Sequence, residues 1–274
     1  MVGVSTPSAQ APTGPPTGGP FSALYSVLVA TAVVAVLLVG LVAFAVFSFG
    51  GGTPPLAVGA VAETLPSAAP QPSPDARTQG TSRSADRFTA DAGWVQRTAA
   101  VAGIPGPALR AYADAQLRLQ AEQPGCHLGW TTLAGIGWIE SQHGTLGGRT
   151  LLADGRSSTT IIGPALNGVG YAAIRATPDS TSWHGDPTWD HAVGPLQFLA
   201  STWARWGADG DGDGVADPRD IDDAALAAAR YLCADGHDLG TPAGWTAAVH
   251  SYNHDMTYVA NVANAANTYA ARTR

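Results

Sequence analysis

From Leu24 to Phe47 the chain is apolar apart from Ser26, Thr31 and Gly40, and this run decides what the rest of it can fold into. A helix of that length crosses a hydrocarbon core of about 30 Å. A cleaved signal sequence has a shorter apolar core of roughly 7–15 residues behind a basic start, and neither feature is present. The run therefore reads as an uncleaved anchor over residues 21–49, preceded by a Pro-, Gly-, Ser- and Thr-rich tail over 1–20 that is expected to be disordered. The first cysteine is Cys126, so no lipid attachment site follows the run. No charged side chain precedes Glu63, so flanking charge does not orient the span.

Residues 50–84 are rich in Gly, Pro, Ala and Ser and carry no sustained apolar period, which predicts a linker. A flexible chain of that length spans roughly 30–35 Å on average. What remains, residues 85–274, is long enough for one substantial core. Lysine is absent, and 14 arginines stand against 21 acidic residues for a net charge of −7. That balance argues against a nucleic-acid partner, which needs a basic surface. Two cysteines, Cys126 and Cys233, lie in this domain, either as reduced core thiols or as a bridge. An anchor that places the domain outside the membrane favours the bridge, and with it a cytoplasmic N-terminus.

Helical periodicity dominates the domain. Helices are predicted over 90–102, 107–120, 130–143, 195–206, 222–234, 245–253 and 258–271, with a short strand pair at 159–162 and 171–174 inside an irregular insertion from 147 to 189. The fold class is mainly α with a minor β contribution. An irregular insertion facing the end of a helix makes a natural cleft.

Glu140 stands out because its surroundings oppose its chemistry. One of three glutamates in the chain, it falls in helical register with Leu133, Ile136 and Gly137, on an apolar face. Desolvation there disfavours the charged form and raises the pKa. A carboxylic acid still protonated near neutral pH is what protonation of a glycosidic leaving oxygen requires. Gly144 is suited to end the helix and leave Glu140 near its mouth. Taken alone, a buried Glu paired with an Arg is equally consistent.

Three further segments add to it. Ala192-Val193-Gly194-Pro195-Leu196-Gln197-Phe198 predicts a helix entry with Gln197 and Phe198 on its first turn, an amide beside an aromatic ring that suits an N-acetylated sugar, although the segment taken alone reads first as an ordinary proline-started helix. Tyr252-Asn253, with Tyr258 six residues after Tyr252, can line a cleft floor. Asp209-Gly210-Asp211-Gly212-Asp213-Gly214-Val215-Ala216-Asp217-Pro218-Arg219-Asp220 follows the calcium-loop pattern, with carboxylates at positions 1, 3, 5, 9 and 12 and glycine at 6. The expected ligands of a structural Ca2+ are Asp209, Asp211, Asp213, Val215, Asp217 and Asp220, with Asp at position 12 weakening the site relative to the usual Glu.

In this order, these segments resemble the lytic murein transglycosylases of the membrane-bound B type, within the lysozyme-like superfamily, over about residues 125–269. The anchor, Pro-rich linker and cysteine pair are similar to the actinobacterial branch. The resemblance implies a lysozyme-like helical domain and a lyase acting on the MurNAc–GlcNAc β-1,4 bond of peptidoglycan. Glu140 would be the single acid/base and the product a 1,6-anhydro-MurNAc end, with no catalytic cofactor. Ser141, Gln197, Phe198, Tyr252, Asn253 and Tyr258 are the expected substrate contacts. Expected partners are glycan strands, the membrane and cell-wall synthesis or division proteins, with the domain on the cell-wall side. His191 and Leu196 depart from the Arg and Met of the family pattern. Two alternatives stay open: a hydrolytic muramidase, for which Asp154, Asp186 and Asp190 are candidate second carboxylates, and a non-catalytic, calcium-stabilised peptidoglycan-binding module.

Overall fold

Two helices are apolar on nearly every side, so they must lie at the centre. Every residue from Trp130 to Gly137 is buried, as is every residue from Ile221 to Ala229. The computed structural model describes residues 65–75 and 88–274, all within one compact unit, Leu56–Arg274. The described residues contain eight α-helices: α1 (Ala92–Ala102), α2 (Gly106–Glu122), α3 (Trp130–Ser141), α4 (Pro178–His184), α5 (Ala200–Trp206), α6 (Ile221–Leu232), α7 (Pro242–Tyr252) and α8 (Met256–Arg272). Helix α3 packs against α8 and α2, and α2 runs along α6. The expected anchor at 21–49 and the tail at 1–20 lie outside the described residues. Among the described residues, no helix is long and apolar enough to cross a membrane.

Small residues set the closest approach. A Cβ added at Gly135 would lie 2.8 Å from the Val262 carbonyl, so glycine lets α3 meet the backbone of α8. Leu133, Ile136, Leu226, Leu232, Val259 and Val262 fill the shared core. Two of the helices carry aspartate caps: Asp91 accepts from Trp94 N at 2.7 Å, and Asp255 accepts from Thr257 N at 2.8 Å. The two cysteines are joined, with Cα atoms 5.5 Å apart, linking the turn after α2 to the end of α6.

Part of the stretch read as linker is packed. Leu65 and Ala69 rest against the core, and the backbone of this segment is held by side chains of the domain. Ser67 N donates to Asn267 at 2.8 Å, Trp130 Nε1 donates to the Pro70 carbonyl at 3.0 Å, and Gln116 Nε2 donates to Gln71 at 2.5 Å. Pro74 then bridges to Ala90. Proline keeps the strap extended, and the lack of an apolar period hid its docking because only alternate side chains are needed.

Two expectations, one inside the insertion and one just after it, are corrected. Segments 159–162 and 171–174 do not pair with each other: Ile162 bridges to Val193, and Ala173 to Asn167. The helix expected from Pro195 begins only at Ala200, because Val193 and Phe198 exchange both backbone hydrogen bonds (2.9 and 3.0 Å) and close a tight turn over Gly194–Gln197. Gly194 takes φ 78° there, and a Cβ would overlap the Pro218 carbonyl. Helix α4 lies inside the insertion, started by a Thr177–Ser180 capping box.

Candidate active site

Glu140 sits one residue before the end of α3. The helix stops through three successive left-handed residues, Gln142, His143 and Gly144, with φ of 52°, 60° and 83°. Left-handed backbone costs a non-glycine residue roughly 1–2 kcal/mol, so two such residues need compensation. His143 supplies it. Its ring is buried between two tyrosines, with Nδ1 3.0 Å from the Tyr112 hydroxyl and Nε2 2.8 Å from the Tyr269 hydroxyl. Burial drives its pKa down to about 3, so it is neutral, one nitrogen donating and the other accepting. A side chain at Gly137 would overlap the Tyr112 hydroxyl, which explains glycine in mid-helix. The mouth that presents Glu140 is thus fixed from α2 and α8 together.

The Glu140 carboxyl is half-buried, and Tyr258 of α8 donates to its Oε1 at 2.6 Å. Desolvation raises its pKa from 4.5 to about 7, against the smaller opposing effect of the Tyr258 hydrogen bond. The loss of water wins, so the group is a proton donor near neutral pH. Tyr252 ends α7 and donates to the Leu196 carbonyl at 2.7 Å, tying the Gln197 turn to the same neighbourhood. The Glu140 charge also contributes to raising the Tyr252 pKa, after desolvation.

Each expected substrate contact has a definite place. Gln197 is half-buried, adopts φ 51° and donates from Nε2 to the Gly194 carbonyl at 2.9 Å. A Cβ on Gly163 would lie 2.6 Å from its Oε1, so this oxygen lies against the Gly163 backbone. Asn253 is exposed in the break between α7 and α8. Ser141 is buried, and its hydroxyl is committed internally: it donates to the Pro195 carbonyl at 2.6 Å and accepts from Gly144 N at 2.7 Å. It joins the Glu140 helix end to the Gln197 turn. Phe198 is 2% exposed and packs edge-on against Trp203 and Tyr252, which leaves it no free face for a sugar.

The three aspartates weighed as second carboxylates all have partners. Asp154 Oδ1 accepts from Arg156 N at 3.1 Å, Asp186 stands 3.3 Å from His191 Nε2, and buried Asp190 stands 3.2 Å from His184 Nε2. His191 also places Nδ1 2.7 Å from the Gly163 carbonyl, which fixes the segment beside Gln197. A cavity of about 450 Å³ lies elsewhere, among α2, α6 and the acidic loop, with Arg110, Asp114 and Asp222 in its walls.

In the acidic loop, Asp209, Asp211 and Asp223 offer oxygens within 4.8 Å of one another. This changes the expected ligand set. Asp223 lies three residues beyond the loop read from sequence. Asp217 instead faces two guanidiniums, with Arg156 Nη1 at 2.7 Å and Arg219 Nε at 2.8 Å, and stays ionised with a pKa near 2. Asp220 caps α6, accepting from Asp222 N at 2.9 Å, and Asp213 accepts from Val215 N at 2.7 Å. Three converging carboxylates are hard donors that fit calcium.

The residues missed from sequence were His143, Tyr112, Tyr269 and Asp223. The first three meet only through tertiary packing and share no local pattern. Asp223 carries a signal in the acidic pair that opens α6, but such a pair equally marks an ordinary helix start.

Residues 175–272 match the family described as Transglycosylase SLT domain. That span contains Gln197, the acidic loop, Tyr252 and Tyr258, and begins after Glu140. No curated protein matches the chain. Among solved structures, the chain is similar to the Escherichia coli lytic transglycosylase Slt35 in complex with bulgecin A, at 16% identity and TM-score 0.41 over 74% of this chain and 81% of that one. It is also similar to Slt35 in complex with calcium, at 17% identity and TM-score 0.39 over 72% of this chain and 82% of that one.

Proposed function

We propose that this chain is a peptidoglycan lytic transglycosylase with Glu140 as its single acid/base. The observation that carries the reading is the Glu140 carboxyl itself: half-buried at a helix mouth, bonded to Tyr258, and raised to a pKa of about 7. Protonated Glu140 delivers its proton to the oxygen leaving C1 of N-acetylmuramic acid, and the C1–O bond to N-acetylglucosamine breaks. The substrate's 2-acetamido group stabilises the oxocarbenium-like centre. Ionised Glu140 then takes the proton of the muramoyl 6-hydroxyl as O6 bonds to C1. A 1,6-anhydro ring closes, Glu140 is protonated again, and no water is consumed. Tyr258 holds the carboxyl in place through both steps, while Gln197 and Asn253 offer amides to the sugar.

The family match over 175–272 supports the substrate class. The influences on the Glu140 pKa are burial and Tyr258, with no second carboxylate among them, which favours a one-carboxylate route over a two-carboxylate hydrolysis. Calcium held by Asp209, Asp211 and Asp223 would be structural, fixing the loop that follows the Gln197 turn. The apolar run at 24–47 and the Cys126–Cys233 bond together support a membrane-anchored chain whose domain faces the cell wall. There it would meet glycan strands and the proteins that synthesise or divide the wall. The test is Glu140→Gln: murein release should fall by about 10²–10⁴ with the fold retained, the range expected for loss of general acid–base catalysis. Near-normal release by the variant would end the enzymatic reading.

A further inference from the structure

A second cavity, of about 190 Å³, adjoins the Glu140 mouth and plays no part in the reaction above. It is lined by Arg156, Ser157, Thr160, Ile161, Gly194, Pro195 and Arg219. Its wall is the turn that serves the active site. The Pro195 carbonyl accepts from Ser141, next to Glu140, and the Gly194 carbonyl accepts from Gln197. Ser157 donates to the Gly144 carbonyl at 2.8 Å, so the far wall is tied to the segment that ends α3. Anything seated here lies against the turn that carries Gln197.

The lining carries cationic donors and no carboxylate. Asp217, behind it, takes Nη1 of Arg156 and Nε and Nη2 of Arg219. Asp220 stands 3.9 Å from Arg156 Nε, outside hydrogen-bond reach. Arg156 Nη2 and Arg219 Nη1 therefore find no acceptor among the described residues. Asp217 fixes the plane of Arg219 through two bonds and holds Arg156 through one, so an incoming anion orders less side chain than free arginines would require. Ile161, Gly194 and Pro195 supply an apolar floor.

Size and chemistry define the occupant. Pockets for whole small molecules run roughly 300–1,000 Å³, so this cavity suits one substituent of a larger ligand. Paired guanidinium donors suit a carboxylate. We propose that this cavity is a carboxylate-binding subsite that takes an acidic group of the peptide stem borne by the glycan strand, with Arg156 and Arg219 as specificity-determining residues. The proposal rests on the reading of the chain as a peptidoglycan-cleaving enzyme.

Binding is measured by calorimetry on the full chain carrying Glu140→Gln, so that no substrate is consumed. The two ligands are soluble glycan strands with intact stems and the same strands after amidase treatment, in which hydrolysis of the lactyl–peptide amide removes the stem and frees the lactyl carboxylate. Thr160→Asp places a negative charge at the exposed rim without touching the Arg–Asp217 contacts. It should weaken binding of stem-bearing strands about tenfold and leave stripped strands unchanged. Arg219→Gln should act in the same direction, with melting temperature followed because Asp217 loses a partner. An equal loss on both ligands would assign the contact to the sugar backbone that both share, and a loss confined to the stripped strands would assign it to the freed lactyl carboxylate; either would overturn the stem assignment. Unchanged binding of both ligands in Thr160→Asp would overturn the subsite altogether. Should the wild-type chain release no anhydro product while the variants still discriminate the two ligands, the proposed reaction fails and the subsite stands.

Discussion

Replacing Glu140 by Gln should make the protein more stable at alkaline pH and not at acid pH. In the folded chain the carboxyl pKa is raised from 4.5 to about 7. Below the unfolded value the group is protonated in both states and imposes no penalty. As pH rises from 4.5 through 7, the unfolded state ionises first, so the wild type loses stability; above 7 the loss is complete. A rise of that size corresponds to about 3 kcal/mol, reduced to about 2–3 kcal/mol because the half-buried side chain retains some contact with water. The amide does not titrate and can still accept from Tyr258. Its own desolvation shifts every pH point equally, so the change between pH values carries the test. Asp114 and Asp223 are also raised to about 7 by desolvation, but both are present in each protein and cancel in the comparison. Urea unfolding of wild type and variant at pH 4, 6 and 8 measures the difference. The variant's advantage should grow by about 2–3 kcal/mol between pH 4 and pH 8. A constant difference across that range would show that Glu140 is not desolvated, and the acid/base argument would lose its physical basis.

Tyr258→Phe removes the donor that lowers the Glu140 pKa. The alkaline limb of the pH–rate profile for murein release should move upward, and a downward move would contradict the assignment. Calcium should raise the melting temperature of the wild type, and Asp223→Asn should abolish that shift; an unmoved melting curve with chelator would remove the ion from this account. Starting the chain at residue 85 instead of 65 should cost about 2–3 kcal/mol of stability, through lost burial of Leu65 and Ala69 and lost partners for Gln116 and Trp130. Equal denaturation midpoints for the two fragments would show the strap to be passive.

What was legible in the sequence follows from which interactions are local. The helical period placed all the helices but α4, and Glu140 could be read because its apolar neighbours recur on one helical face. The acidic loop announced itself through regular spacing. Tertiary packing decided the rest. The helix expected at Pro195 yielded to a turn because Gly194 must pass against Pro218, a contact that no local pattern encodes. Phe198 and Ser141 were read as substrate contacts on type and position, yet burial assigns one to the core and the other to the joint between α3 and the Gln197 turn. His143 could not be read as the plug between Tyr112 and Tyr269, since its partners lie on α2 and α8.

The central claim is that Glu140 serves both as the acid that releases one sugar and as the base that closes the anhydro ring. Mass spectrometry of murein digested by the full chain tests it directly. The predicted fragments end in 1,6-anhydro-N-acetylmuramic acid and are lighter by one water than hydrolytic ones, and Glu140→Gln yields neither. Fragments carrying the full mass of a free reducing end would show that water is the acceptor, and would contradict the single-carboxylate mechanism.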